Sequence, residues 1–339
     1  MLVAALAAPV ALLVLARPAV AEESAAGDAP EGTVHCTITD PRLAELSGLV
    51  VLKDKMFAVA DGGDELAVLV LDPSCAVTDV RTADVDPYDP EDMAVSADGT
   101  IWVADTGDNA ADRPTVALHA LRPDGGAALY RLTYPDSPHD AEALILAPGG
   151  TPYIVTKEVL GASQVFRPAA ALVDGGTVAL EQVASVNLGL TGTPGGPVGR
   201  AGQLMVTGGA VSRDGRLMAL RTYTDAYLWP LDGPDIAAAL ADDPIRVPLP
   251  ESPQGEAISF GTDNRGLVIA SEGSPNAVVI VPTSEPLAPV AEKLADTESD
   301  VAAPGATDGD RSPFTSGLIA AAVAAVAVWL GGKFRRRRG

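Results

Sequence analysis

Short apolar runs separated by Gly, Pro and Asp recur along most of the chain, from Thr33 to Val281. In residues 89–109 an acidic stretch precedes an apolar run, and an Asp-Gly turn then leads into a second apolar run around Trp102 and more acids. Val, Ile and Trp favour a half-buried pleated surface, and Asp-Gly between two apolar runs is a strong hairpin signal. The segment is therefore predicted to form a β-hairpin.

This hairpin pattern occurs five times, in residues 47–61, 89–109, 140–158, 209–221 and 254–272. The spacing is close to the roughly 40–50 residues of a propeller blade. One or two further strand-like runs follow each hairpin and would complete a small sheet. The repeat predicts an all-β fold, a β-propeller of five blades, or of six if the long third repeat contains a degenerate blade.

The last repeat lacks a fourth strand after Val281, whereas residues 33–38 form a spare strand-like run at the other end. We predict that this N-terminal strand completes the last blade. Pairing the first and last strands closes the ring and removes an exposed edge. A helix is predicted near residues 234–240, and the Gly- and Pro-rich residues 188–200 are predicted to form a long loop.

The two ends carry targeting patterns. Residues 1–21 contain an apolar run that ends in Ala-Val-Ala, which is typical of a signal peptide. Residues 312–332 are free of charge and long enough to span a bilayer, and the basic residues after them favour a cytoplasmic tail. The predicted organisation is a signal peptide (1–21), a disordered leader (22–32), the propeller (33–283), a flexible linker (284–311), a transmembrane helix (312–332) and a basic cytoplasmic tail (333–339).

The sequence contains two cysteines, Cys36 and Cys75, and both lie in the part predicted to be exported. In an oxidising compartment a structural disulfide is the expected state, with two free thiols as the alternative. The predicted location is the cell membrane, with a single span, an extracytoplasmic propeller and a cytoplasmic C-terminus.

The chain is strongly acidic, with a formal net charge of −22 at pH 7. Such a surface repels the phosphate backbone, so nucleic acid is excluded as a partner. It suits divalent cations or cationic ligands, and high solubility or salt tolerance explains it equally well. The predicted partners are an unidentified small molecule or surface protein, and the membrane through the C-terminal helix.

Charged residues recur at equivalent places in the repeats. In a propeller the innermost strand starts at one face of the ring and the second strand returns to that face. Residues that precede the first strand and follow the second therefore surround one mouth of the central channel. The residues at these places are Asp61, Glu91, Asp92, Asp105, Asp108, Glu142, Lys157, Glu158, Arg221, Glu256 and Glu272.

A ring of carboxylates at this mouth predicts a calcium site, because Ca²⁺ takes six to eight oxygen ligands. The predicted ligands are Asp89, Glu91, Asp105, Asp108, Glu142 and Glu256. The alternative is structural: the acids of residues 105–109 cap a tight turn. Glu142 and Glu256 would then accept hydrogen bonds from neighbouring blades.

Four residues at the same mouth are candidates for catalysis: Glu142, Glu256, Lys157 and Arg221. Two carboxylates of different pKa can carry out acid–base chemistry, and a bound metal can activate water. The two cations are suited to an anionic substrate, or they pair with the adjacent acids. The sequence contains no Gly-rich phosphate loop, HExxH or CxxC pattern.

The segments Pro90–Ala94, Ala141–Leu144 and Gly255–Ile258 share an acidic residue followed by apolar ones. This pattern resembles that of bacterial phytase-like and gluconolactonase-like (NHL-type) propellers over about residues 33–283. The resemblance implies calcium at the channel mouth and hydrolysis of phosphate or lactone esters. The chain departs from these families, since its mouth lacks a basic cluster for phytate and an Asn and Asp set that matches a lactonase metal site.

Fold analogy by itself does not transfer function. The sequence therefore leaves open whether the protein is an enzyme. Its leading hypothesis is a membrane-anchored extracytoplasmic binding or scaffolding module with Ca²⁺ at the mouth. The alternative is a metal-dependent hydrolase of the phytase or lactonase type.

Overall fold

The computed structural model describes residues 31–160, 162–264 and 266–283. The predicted signal peptide, linker, transmembrane helix and tail lie outside these residues, as does most of the predicted leader. Within the described ranges, no helix has the length and apolar character needed to cross a membrane.

The described chain consists mainly of β-strands. The strands are β1 (Thr33–Ile38), β2 (Leu46–Val51), β3 (Met56–Ala60), β4 (Leu66–Leu71), β5 (Val77–Ala83), β6 (Pro90–Val95), β7 (Ile101–Asp105), β8 (Val116–Leu121), β9 (Ala127–Thr133), β10 (Ala141–Leu146), β11 (Pro152–Thr156), β12 (Ala162–Pro168), β13 (Thr177–Asn187), β14 (Val206–Val211), β15 (Leu217–Thr222), β16 (Asp225–Pro230), β17 (Ile245–Pro248), β18 (Gly255–Phe260), β19 (Gly266–Ser271) and β20 (Asn276–Pro282). Two 3₁₀ helices occupy Pro41–Leu43 and Gly199–Gln203. The predicted helix is confirmed as one short turn, α1 (Ile236–Ala239), with Asp235 as its N-cap.

Each of the five sequence repeats forms an antiparallel hairpin, namely β2–β3, β6–β7, β10–β11, β14–β15 and β18–β19. The strands pair in groups of four, β2 to β5, β6 to β9, β10 to β13 and β14 to β17. A short parallel pairing of residues 177–179 with 131–133 joins two of these groups into an eight-stranded sheet. This all-β arrangement is consistent with a propeller.

The N-terminal strand β1 pairs antiparallel with β20, the last strand described. The predicted pairing of the two ends is thus confirmed, and it covers an edge of β20 that would otherwise be free to aggregate. The predicted disulfide is also present: Cys36 of β1 is bonded to Cys75, in the turn between β4 and β5.

Apolar side chains pack between neighbouring sheets rather than in a single core. One cluster joins β10–β13 to β14–β17 around Ile145 and Trp229, and another joins β2–β5 to β6–β9 around Val68 and Val103. Strands β10 and β18 are buried along their whole length, whereas most positions of β5 are exposed or half-buried. Neighbouring parts of the fold therefore cover both faces of β10 and β18, including their acidic second residues.

Candidate functional site

The charged residues predicted at one mouth are mostly buried there. Glu91, Glu142 and Glu256 are the second residues of β6, β10 and β18, and all three are less than 5% exposed. Asp61, Asp92, Asp105, Asp108, Lys157 and Arg221 are buried as well, whereas Glu158 and Glu272 are half-buried. The mouth therefore holds a buried network of charges rather than a solvated ring.

Four of these residues gather around Tyr223, which follows β15. Glu142 forms an ion pair with Lys157, and the Lys157 Nζ lies 5.3 Å from the centre of the Tyr223 ring. Glu256 acts electrostatically on Lys157, on Tyr223 and on Arg221. We call these five residues the central cluster. It contains all four catalytic candidates, and Tyr223 adds a buried phenol to them.

Burial and the neighbouring charges together set the protonation states of this cluster. Burial acts to lower the pKa of Lys157, but Glu142, Tyr223 and Glu256 outweigh burial and raise that pKa well above its usual value. Burial, with the Glu256 charge, raises the pKa of Tyr223 well above the usual range. At neutral pH the cluster therefore presents a cationic Lys157 beside a neutral phenol.

Arg221 is held by the neighbouring sheet. Its Nη1 donates to the carbonyl oxygens of Ala257 (2.6 Å) and Ala270 (2.9 Å), and its Nη2 donates to Ser252 Oγ (3.3 Å). A Cβ on Gly255 would lie 1.8 Å from that Nη2, so only glycine fits beside the guanidinium. Burial lowers the pKa of Arg221 to about 10, against the effect of Glu256, so it remains a cation at neutral pH. These contacts give Arg221 a role in joining β15 to β18 and β19.

Two predicted calcium ligands are engaged by the protein itself. Asp105 accepts hydrogen bonds from Arg113 Nη2 (2.9 Å) and from the backbone N–H groups of Tyr88 and Asp89, and it contacts the His119 ring at 3.2 Å. Asp108 accepts from the backbone N–H groups of Arg113 (2.8 Å) and Asp112 (3.1 Å). These contacts match the structural alternative, in which the acids of residues 105–109 hold a turn.

The Asp105 contacts predict a loss of stability in acid. Burial acts to raise the pKa of Asp105, but His119 and Arg113 outweigh it and lower that pKa from 3.8 to about 2. The folded state then binds this proton less readily than the unfolded state. The contribution is about 2 kcal/mol above the ordinary pKa, and it is lost as the pH falls towards 2.

Urea unfolding measured from about pH 5 down to pH 2 checks this expectation, because Asp105→Asn removes the titrating group. The variant should show a shallower decline in unfolding free energy than the wild type over that interval. Equal slopes for the two proteins would contradict the assignment.

Asp89 and Glu91 lie side by side. A Cβ on Gly107 would meet Glu91 Oε1 at 2.2 Å and Asp89 Oδ2 at 2.6 Å, so both carboxylates approach the same glycine. Among the residues that the structure describes, however, no group of three or more His, Cys, Asp or Glu side chains is arranged to hold a metal ion. Asp105 and Asp108 hold a turn, and Glu142 is paired with Lys157, so the donor set does not fit a calcium site.

Asp92, adjacent to Glu91, has a different role. It is fully buried, and its carboxylate accepts backbone N–H groups from Met93 (2.7 Å), Leu144 (2.7 Å) and Gly209 (2.9 Å). These donors belong to β6, β10 and β14, so one side chain links three inner strands. Burial raises the pKa of Asp92 to about 8, and the three N–H donors act against this rise.

The segment 188–205 covers the central cluster, and we call it the covering loop. It consists of the predicted loop, 188–200, and the rest of the 3₁₀ helix Gly199–Gln203 with the two residues after it. Ala201 and Met205 pack on Tyr223, and Gly196 lies so close that a Cβ there would be 2.8 Å from the Tyr223 Cβ. Asp225 holds the loop by accepting hydrogen bonds from the Thr191 and Thr193 hydroxyl groups. The covering loop therefore shields Tyr223 from solvent on this side.

No protein-family model matches the sequence, and no curated protein matches it. Among solved structures, the chain is similar to a gluconolactonase from Xanthomonas campestris, with 19% identity, coverage of 70% of this chain and 73% of that one, and a TM-score of 0.42. A virginiamycin B lyase from Staphylococcus aureus is 12% identical, over 73% of this chain and 74% of that one, with a TM-score of 0.36. An aldose sugar dehydrogenase from Streptomyces coelicolor, solved in a PQQ-bound form, is 12% identical, over 75% and 99%, with a TM-score of 0.39.

The structural neighbours of this chain thus include gluconolactonase-like and sugar dehydrogenase propellers. This agrees with the resemblance that the motifs around Glu91, Glu142 and Glu256 indicated. All three TM-scores are below 0.5, so these similarities do not indicate a substrate or a mechanism. The chain is similar to bacterial propellers of the gluconolactonase-like type.

Proposed function

We propose that the protein is a hydrolase of small lactones or esters and that the central cluster is its active site. The observation that carries the proposal is the convergence of Glu142 and Lys157, from the third repeat, and Glu256, from the fifth, on the buried Tyr223 ring. Strongly shifted pKa values in one buried cluster are typical of catalytic sites. A binding or scaffolding role would not require this combination of acid, base and cation.

Each group in the cluster suits one part of the reaction. Glu256 accepts the proton of the attacking water, and Lys157 stabilises the negative charge that develops on the carbonyl oxygen. The neutral Tyr223 hydroxyl donates its proton to the leaving oxygen and recovers one from Glu256. Glu142 holds Lys157 in place, and Arg221 anchors the sheet that carries Tyr223.

The proposal includes the architecture around the site. The five hairpin repeats are assigned to five blades of one ring, with β1 in the last blade. The proposal also includes export through residues 1–21 and membrane anchoring through residues 312–332. The Cys36–Cys75 disulfide supports an oxidising compartment.

The test measures turnover by the purified full-length chain on small lactones, aryl esters and phosphate monoesters, with Ca²⁺ and with a chelator. We expect lactone or ester hydrolysis, and we expect Glu256→Gln to lower kcat by about 100-fold or more, the usual effect of losing a general base. The matched control is Glu181→Gln, which changes a half-buried residue of β13 that pairs with Arg167. It should leave kcat unchanged.

Two results would overturn the proposal. Absence of turnover on every substrate class would favour the binding role, and full activity in a folded Glu256→Gln variant would exclude the central cluster. Equal hydrolysis rates with Ca²⁺ and with chelator would show that the reaction does not need calcium, and they would not affect the assignment of the central cluster.

A further inference from the structure

A cavity lies at the ends of the innermost strands opposite to the central cluster. It has a volume of about 730 Å³ and is lined by the hairpin turns between the first two strands of the repeats and by the last residues of the innermost strands. The central cluster lies where these strands begin, so the two sites are at opposite faces. The volume of the cavity lies within the roughly 300–1,000 Å³ typical of small-molecule sites.

The wall of this cavity contains an apolar collar. The last residue of every innermost strand is apolar, and each one lines the cavity. The collar residues are Val51, Val95, Leu146, Val211 and Phe260, at the ends of β2, β6, β10, β14 and β18. Four of these side chains also pack against the clusters between neighbouring sheets. One apolar residue from each hairpin repeat thus lines the cavity, which makes it a suitable environment for a hydrocarbon body.

The charged side chains on the rim of the cavity differ in whether other groups of the protein bind them. Asp98 and Asp214 accept hydrogen bonds inside their own turns, Asp98 from Thr100 N (3.0 Å) and Asp214 from Ser212 Oγ (2.7 Å). Arg213 is the basic residue of the lining, and it is exposed. Its backbone N–H donates to Asn264 Oδ1 at 3.1 Å, and its guanidinium forms no ion pair with any residue that the structure describes. The rim thus presents one exposed guanidinium above the apolar collar, together with two aspartates that are hydrogen-bonded within their own turns.

We propose that this cavity binds an amphipathic carboxylate, with the apolar body inside the collar and the carboxylate on Arg213. A guanidinium pairs with a carboxylate through two parallel N–H···O bonds, and the apolar collar is shielded from water once the body enters. The site is separate from the proposed catalysis. Met93 and Gly209 line the cavity, and both donate backbone N–H groups to Asp92, which lies between the two ends.

The probe is 11-(dansylamino)undecanoic acid, whose fluorescence rises when the dansyl group enters an apolar site. We expect saturable binding to the full-length protein, displacement by decanoate, and no displacement by decyltrimethylammonium. Arg213→Gln should weaken binding by about tenfold, the effect of losing one charge-assisted pair. The matched control is Arg216→Gln, an exposed arginine three residues further along the same turn that does not line the cavity.

Arg213 is on the surface, so its variant should fold as the wild type does. The absence of saturable binding, or equal affinity in Arg213→Gln and wild type, would overturn the proposal. Displacement by the cationic amphiphile as effective as by decanoate would also overturn it. Because Glu256→Gln leaves the cavity intact, that variant should bind the probe with unchanged affinity, whatever its effect on hydrolysis.

Discussion

Asp92→Ala is expected to lower the free energy of unfolding by about 3 kcal/mol or more, because it leaves several buried N–H groups without an acceptor. The Asp92 carboxyl group accepts hydrogen bonds from the backbone N–H groups of Met93, Leu144 and Gly209, in three different inner strands. Alanine cannot replace these bonds, and the side chain is fully buried, so water cannot substitute easily. Equilibrium urea unfolding followed by tryptophan fluorescence measures the change.

Asp98→Ala is the matched control, since it removes an aspartate from the same hairpin. Asp98 is exposed, and its carboxylate accepts hydrogen bonds only from its own turn, from Ser96 Oγ and Thr100 N. Its loss is expected to cost about 1 kcal/mol or less. Similar losses in the two variants would show that Asp92 does not link the inner strands.

Lys157→Met is expected to destabilise the protein by about 3–5 kcal/mol, because it leaves the buried Glu142 carboxylate without its cation. Both side chains of the pair are less than 5% exposed, so solvent screens neither of them. Methionine keeps the length of the lysine stem and therefore separates the loss of charge from the loss of packing. The measurement is urea unfolding at neutral pH, where the wild-type pair is fully charged.

The double variant Lys157→Met with Glu142→Met tests this explanation. Replacing both members of a buried pair by apolar side chains of similar size is often close to neutral. We expect the double variant to recover most of the stability that the single variant loses. A double variant as unstable as Lys157→Met alone would show that the loss comes from packing around Tyr223 and not from the unpaired carboxylate.

The strand pattern was predictable because it depends on neighbouring residues. The Asp98-Gly99 turn and its flanking apolar runs specify the hairpin β6–β7 locally, and similar turns specify the others. The pairing of β1 with β20 followed from counting strands, since a missing fourth strand at one end matched a spare strand at the other. The concentration of charge at one mouth followed from the same repeat.

The partners of the charged residues were not predictable. Glu91 and Asp92 are adjacent in the sequence, yet Glu91 lies with Asp89 beside Gly107 while Asp92 links three strands. Successive side chains of a strand point to opposite faces, so two neighbouring acids meet different surroundings. The cavity at the other ends of the inner strands has a pattern in the sequence, because each of these five strands ends in an apolar residue, but the same pattern is typical of a packed core.

By itself, the sequence determined the hairpins, the closure of the sheets by β1 and the face on which the acids collect. Only the tertiary structure decided that Lys157 neutralises Glu142, that residues 188–205 cover Tyr223 and that an apolar cavity lies at the far face. The reason is the separation of the partners along the chain. Turn and strand preferences act over a few residues, whereas the bond from Gly209 to Asp92 spans 117 positions.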